Sequence, residues 1–494
     1  MGLRDSFLKR HPLGAVCLGA QRRIVGGSFR RCLLPPAAWI AALVLWTVPS
    51  LAQDLRVGRA AVKITPSVGA PIGSSYGITP AEGVHDDLYA KAIVIEKNGV
   101  KAALVACDLI SLRGAIVQEA RRLISVTTGL RGDQVILSAT HAHAGPQMHP
   151  LFLALVQDEP RRLGEQYVQR LAGWIADAVR RAEADLTPAR VLAGRVDEDS
   201  VNFNRRFLME DGTVRMNPGR RNPDAVRAVG PIDPQLSVVY FESLAGKPLV
   251  TLINFALHAA IVGGPEISAD YPAVIARLLE PIKGPEMLTV FTNGTSGNVN
   301  HIDTRRVDQP SGQAEASRVG TILAAAVLKA YSRLEPIDVP WLRVGTRPVA
   351  LPVPKVQTAE VEQARQTISR YGKSPAPSFH DVVAAWRVLD LAELAGSPLG
   401  SEVQAIALGG KLALVGFPGD AFVELGLAIK QNSPFPFTVV SEQSGNGAIS
   451  YVPNRKAFHE GGYEAISARF SPGGGELLVD AAVRLLINLY SGDK

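Results

Sequence analysis

Runs of branched apolar residues alternate along this chain with segments whose apolar positions recur every three or four residues, and that alternation sets the expected architecture. Residues 92–96 (AIVIE), 102–110, 134–140 (QVILSAT), 249–257 (LVTLINFAL), 288–292 and 412–417 (LALVGF) read as strands. Residues 118–125, 159–185, 271–279, 312–334, 421–430 and 476–490 carry the helical period. The expectation is an α/β fold: a layered mixed, mostly parallel sheet flanked by helices, with the active site at the carboxyl ends of the strands. Residues 336–355, rich in Pro and Val, read either as a linker or as edge strands. There is no internal repeat and no phosphate loop, since Gly473-Gly474-Gly475 lacks the lysine and the spacing.

The first 52 residues do not fit that pattern. Seven basic residues (Arg4, Lys9, Arg10, Arg22, Arg23, Arg30, Arg31) face the single acid Asp5, and an apolar run, AAWIAALVLWTV, precedes Pro49-Ser50-Leu51-Ala52. A basic stretch, an apolar core and small residues before a cut make an export leader. An uncleaved anchor is the alternative, although the run is short of the roughly 20 residues a span needs. The expected organisation is a signal peptide over 1–52 and one hydrolase domain over 53–494, in a secreted or periplasmic protein.

Composition changes the picture in two places. With 47% apolar and 20% charged residues, the 494-residue chain has a globular balance. The net charge of +6 resides in the leader, so the remainder is near neutral and no basic stripe points to nucleic acid. Cys107 is the sole cysteine after the leader, within AALVACDLI, and is expected to be a buried, inert thiol.

Candidate chemistry gathers at strand ends. His141 and His143 follow QVILSAT, and two imidazoles in an i, i+2 relation make either a metal half-site or a ligand with a general base. His258 ends LVTLINFAL, and Asp270-Tyr271-Pro272 follows it. Asp420 comes after LALVGF-Pro-Gly, where a helix N-cap is the plain alternative. Tyr451 and Tyr463 flank a Gly461-Gly462 loop, and Arg205 lies before the Asp211-Gly212 turn, where a buried guanidinium would bind a carboxylate or an oxyanion.

Taken together and in this order, these segments resemble the catalytic domain of the neutral and alkaline ceramidases. RVGRA at 56–60, GVHDDLYAK at 83–91, THAHAGP at 140–146, Asn204-Arg205, NFALHA with Asp270-Tyr271-Pro272, Pro418-Gly419-Asp420, and Tyr451-Val452-Pro453 with Gly462-Tyr463-Glu464 carry the resemblance. It implies zinc held by His141, His258, Asp420 and Tyr451, with His143, Arg205 and Tyr463 facing the substrate. It further implies hydrolysis of an N-acyl amide, ceramide or a related lipid, by zinc-activated water. Two departures mark this chain. Asn300 stands where the family carries a serine, so it hydrogen-bonds the substrate but is no nucleophile. The chain also reaches Lys494 with no room for the family's C-terminal β-sandwich. The expected partner is a lipid or small-molecule substrate, with peripheral membrane contact if it is a lipid. Two rivals stay open: a zinc hydrolase of an ester or non-lipid amide, and a non-catalytic binding protein on the same fold.

Overall fold

Two β-sheets lie face to face, each covered on its far side by helices. The computed structural model describes residues 54–73, 78–445 and 449–492, together with Gly26. Apart from that glycine, the expected leader with Cys17 and Cys32 lies outside the described residues. No described helix is long and apolar enough to cross a membrane.

The larger sheet has nine strands: β1 (Arg56–Lys63), β2 (Tyr89–Lys97), β3 (Val100–Cys107), β4 (Val135–Ala139), β5 (Thr187–Asp197), β6 (Gln235–Ser243), β7 (Pro248–Phe255), β8 (Leu288–Asn293) and β9 (Glu335–Ile337). Their order is β8-β7-β6-β5-β1-β2-β3-β4, with β9 also on β5. The smaller sheet is β10 (Leu342–Leu351), β11 (Leu399–Leu408), β12 (Leu412–Gly416) and β13 (Phe437–Ser441), in chain order.

The mixed sheet and its flanking helices are as expected, but the strands of the larger sheet are not mostly parallel. Only β3–β4 and β7–β8 pair in parallel; the other pairings are antiparallel. Tight turns force two of these pairings, β2–β3 and β6–β7, because a short loop joins only antiparallel strands. The β2–β3 turn is Asn98-Gly99, both at positive φ (51° and 78°), the two-residue hairpin that such a dipeptide favours. Each parallel pair is bridged by a helix, α1 (Gly114–Thr128) between β3 and β4 and α3 (Tyr271–Lys283) between β7 and β8.

Both faces of the central strands are buried, which explains their continuous apolar runs. In β2, Ala90, Ala92 and Val94 pack under α1 and α2 (Asp158–Ala184), while Ile93 and Ile95 face β11 and β12 through Ile406, Leu412 and Leu414. Each such branched side chain contributes roughly 1.5–3 kcal/mol by leaving water. α3 and α4 (Gly312–Tyr331) cover β6 and β7. α7 (Val423–Asn432) and α8 (Gly474–Ser491) cover the outer face of the smaller sheet. Two further helices, α5 (Thr358–Ser369) and α6 (Phe379–Glu393), precede β11. The stretch 336–355 is an edge strand, not a linker: β10 pairs only with β11. Cys107 is fully buried in β3, and burial pushes its thiol up, as expected of an inert cysteine.

Candidate active site

The two sheets meet where several strands end. β13 and the segment after it stitch them together: Ala139 N donates to Gln443 O (3.2 Å), Glu442 N donates to Asn293 O (2.9 Å), and Asn254 Nδ2 donates to Val440 O (3.0 Å). The carboxyl ends of β4, β7 and β12 therefore open on one place.

His141 follows β4 and takes a left-handed backbone (φ 66°), so the chain turns there instead of continuing extended. Its ring still converges with that of His143, centroids 4.8 Å apart. His143 N donates to Ala259 O (3.1 Å), which ties this loop to the one carrying His258. The Asp270 carboxylate fixes that second loop by accepting from Ile261 N (2.9 Å), Val262 N (2.8 Å) and Tyr271 N (2.7 Å), although burial raises it to about 6.

Asp420 is not a helix N-cap; Phe422 holds that position on α7. Asp420 instead starts a two-residue strand pairing in parallel with Tyr451–Val452, which sets Asp420 beside Tyr451. Two glycines permit the approach. Gly419 adopts φ 68°, and a Cβ there would lie 2.4 Å from the Ser450 carbonyl oxygen; a Cβ on Gly297 would lie 2.3 Å from the Asp420 carbonyl oxygen.

The resulting cluster has a definite electrostatic character. His141 Nδ1 lies 2.7 Å from Ile110 O, and His258 Nδ1 lies 3.1 Å from Ser296 O. A carbonyl only accepts, so each Nδ1 carries its ring's proton. Both Nε2 atoms are then lone pairs, yet they face each other at 2.9 Å, with His143 Nε2 at 3.2 Å and Asp420 Oδ1 at 3.3 Å from His141 Nε2. Burial, then the neighbouring His141 and Arg205, hold His143 and His258 well below the usual histidine range. A metal ion between the rings would take up the converging lone pairs. Two imidazoles on one tetrahedral zinc sit about 3.3 Å apart at ordinary bond lengths. His141, His143 and His258 form a group able to hold a metal ion.

Arg205 borders this group. Burial opposes its charge, but Tyr451 and Glu464 outweigh burial and keep it protonated. Its Nε donates to Glu464 Oε1 and its Nη2 to Tyr451 Oη, both at 2.9 Å. Tyr463 packs edge-on to Tyr451 at 5.1 Å. Asn300 Nδ2 donates to Asn217 Oδ1 (3.0 Å), and its Oδ1 accepts from Ile302 N (3.1 Å). All eight residues singled out in the sequence line one cleft of about 400 Å³.

Sequence reasoning passed over three side chains that hold this arrangement. Gln443 donates to Asp420 Oδ1. Glu464 joins Arg205 to Arg206 (2.8 Å). Glu442, wholly buried, accepts from Ser296 N (3.0 Å), Ser296 Oγ (2.6 Å) and Ala421 N (2.9 Å), and so fastens the carbonyl that orients His258 to the strand that carries Asp420. The signal for Glu442 was present: it follows FTVVS, a branched run ending in a carboxylate.

Fold and site together define a two-sheet, helix-covered protein with a buried histidine cluster, able to hold a metal ion, beside a carboxylate. No family model matches the chain. Among curated proteins it is 28% identical to the neutral ceramidase of Pseudomonas aeruginosa over 225 residues, 44% of this chain and 32% of that one. It is 23% identical to neutral ceramidase A of Dictyostelium discoideum over 236 residues, 44% of this chain and 31% of that protein. The matched stretch thus spans about a third of each relative's length. Among solved structures, a ceramidase complexed with C2 superposes with a TM-score of 0.69 at 18% identity, covering 89% of this chain and 76% of the other. The P. aeruginosa neutral ceramidase gives 0.67 at 20%, covering 89% and 75%. The chain is a relative of the neutral ceramidases in sequence and shares their fold.

Proposed function

We infer that this chain is an exported zinc hydrolase of N-acyl amides, ceramidase-like in its chemistry. One observation carries the reading: the Nε2 atoms of His141 and His258 converge to 2.9 Å beside Asp420, as ligands around one metal ion do. His141, His258, Asp420 and Tyr451 would hold the ion. Zinc bound there supplies Lewis acidity and brings a water's pKa toward neutrality.

The chain's own residues do the rest. His143, neutral through burial, carries a proton from water to the departing amine. Arg205, held charged, answers the negative charge that builds on the carbonyl oxygen. Tyr463 and Asn300 hydrogen-bond the amide from the cleft wall. Phe379, an exposed aromatic that lines the cleft with the buried Phe152–Trp386 stack, offers an acyl chain an apolar surface, which supports a lipid substrate.

Metal analysis of the purified protein, with fatty-acid release from a fluorescent ceramide and a panel of N-acyl amides and esters, tests this reading. One zinc per chain with acyl release is expected. A His141→Ala protein that keeps both metal and turnover overturns it. Zinc without turnover of any acyl compound leaves a binding protein on this fold. Amino-terminal sequencing of the exported protein is expected to begin at Gln53.

A second reading of His143 has an observation in its favour. Its Nε2, 3.2 Å from that of His141, suits a third ligand as well as a proton carrier. His143→Ala separates the roles: a ligand's loss strips the metal, whereas a proton carrier's loss lowers kcat with zinc retained.

A further inference from the structure

Away from the histidines, the same cleft changes character. Arg113, Arg387 and Arg469 line it, and Asp390 is the one carboxylate that lines this part among the described residues. Asp390 pairs with Arg469. Arg387 spends its Nε on the carbonyl of Ala468 (2.7 Å). Nothing among the described residues accepts a hydrogen bond from, or forms an ion pair with, the Arg113 guanidinium. Arg113 is half-buried at the start of α1, whose first turn carries no acid. Burial, then Arg469, lower its pKa against the smaller opposing pull of Asp390 and Glu393, so two guanidinium groups stand near each other in a partly desolvated wall. The field reaches His149, which is held down to about 3 by burial, then by Arg113 and Arg469.

A half-buried guanidinium with no acceptor in bonding reach is left to complete its hydrogen bonds on a ligand, and an anion suits it best. The exposed ring of Phe379 lines the same cleft, so an amphiphile would touch apolar surface and guanidinium together. We propose that the Arg113–Arg469 wall is an anion subsite, and that the preferred substrate is an N-acyl amide bearing a carboxylate, sulfonate or phosphate away from the bond that breaks. This rests on the cleft being the substrate site of the proposed hydrolase and narrows its substrate to an anionic class, which neither the relatives' names nor the histidine centre implies.

Matched pairs test it. N-hexanoyl taurine against N-hexanoyl ethanolamine places the anion on the amine side; N-adipoyl ethanolamine against N-hexanoyl ethanolamine places it on the acyl side. Binding is read by calorimetry and turnover by amine release, on the protein as purified. The anionic member of at least one pair is expected to bind tenfold tighter or more, and the arm that shows it says where the anion sits. Arg113→Gln should reduce that ratio about tenfold, and raising salt should weaken the anionic member more than its neutral partner. Equal binding within both pairs, absence of binding, or a preference that survives Arg113→Gln overturns the subsite. Preferential binding without turnover keeps the subsite and removes the hydrolase reading, so the two fail separately.

Discussion

Arg205 and Arg113 line one cleft, yet their surroundings are opposite. Arg205 is buried with every neighbour arranged for it: Glu464 on Nε, Tyr451 on Nη2, and the Tyr451 ring 5.4 Å from its guanidinium carbon. Arg113 has a half-buried guanidinium with no such partner among the described residues. The inner end is a set of donors and acceptors held by one another before any ligand arrives. The outer end sets three guanidinium groups against one lining carboxylate, with no acceptor on Arg113 among the described residues. A preorganised group stabilises a changing charge without moving, whereas an unanswered one selects what binds.

The largest effect expected from this contrast is at Arg205. Arg205→Lys keeps the charge but cannot reach Glu464 and Tyr451 together, because an ammonium lacks the planar fork. A fall in kcat of about 10²–10³-fold is expected, the scale of losing one oxyanion donor, with a smaller change in KM. Steady-state kinetics on any acyl amide that turns over provides the measurement. If the loss falls in KM with kcat intact, Arg205 is a ground-state anchor, and the distinction between the two arginines disappears.

Next in size is Glu442, which supports the inner end from behind. Glu442→Ala leaves three buried donors without an acceptor, at about 1–3 kcal/mol for each group left unpaired. It also frees the Ser296 carbonyl that orients His258, and metal affinity is expected to drop about 10–100-fold, as for other groups behind metal ligands. Glu442→Gln is the control. Its amide oxygen can accept from Ser296 N and Ala421 N while its NH2 donates to Ser296 Oγ, so thermal stability and metal affinity should largely return. An alanine variant that melts and binds metal like the parent would show the inner end to be less rigid than its hydrogen bonds imply.

The two ends also differed in how far the sequence disclosed them. His141, His258 and Asp420 were visible because each follows a run of branched apolar residues, and a polar group there has few purposes. The strands carrying them were visible for the same reason: buried on both faces, they show as unbroken apolar runs. Strands β1, β5, β6 and β11 were not read, and the mostly parallel sheet followed from that gap. In β5, Arg190 and Arg195 face outward between apolar residues, which breaks the run. The edge strand β10 carries Pro348 beside the exposed Arg347, so it read equally well as a linker. The outer end left no pattern at all. Arg113, Arg387 and Arg469 come from distant segments, and only the packing of α6 and the loop before α8 against the start of α1 brings them to one wall.

The smallest expected effect tests the field at that wall. His149 is held neutral in the folded protein, at about 3, while an unfolded histidine titrates near 6.5. Its folded pKa is thus depressed. Above about pH 6.5 neither state is protonated and the contribution to stability is complete. As the pH falls from there toward 3 the unfolded chain takes a proton that the folded chain refuses, and stability drops. Burial is the larger cause and survives mutation; Arg113 is the lesser one. Arg113→Gln should therefore raise the His149 pKa by a fraction of a unit to about one unit, and make the loss of stability between pH 6.5 and 4 shallower. Imidazole chemical shifts followed by NMR across that range report the pKa directly, and thermal melts at each pH report the slope. An unchanged His149 titration would mean that the Arg113 charge is already neutralised by solvent, and the outer end would then have no more call on an anion than any exposed arginine.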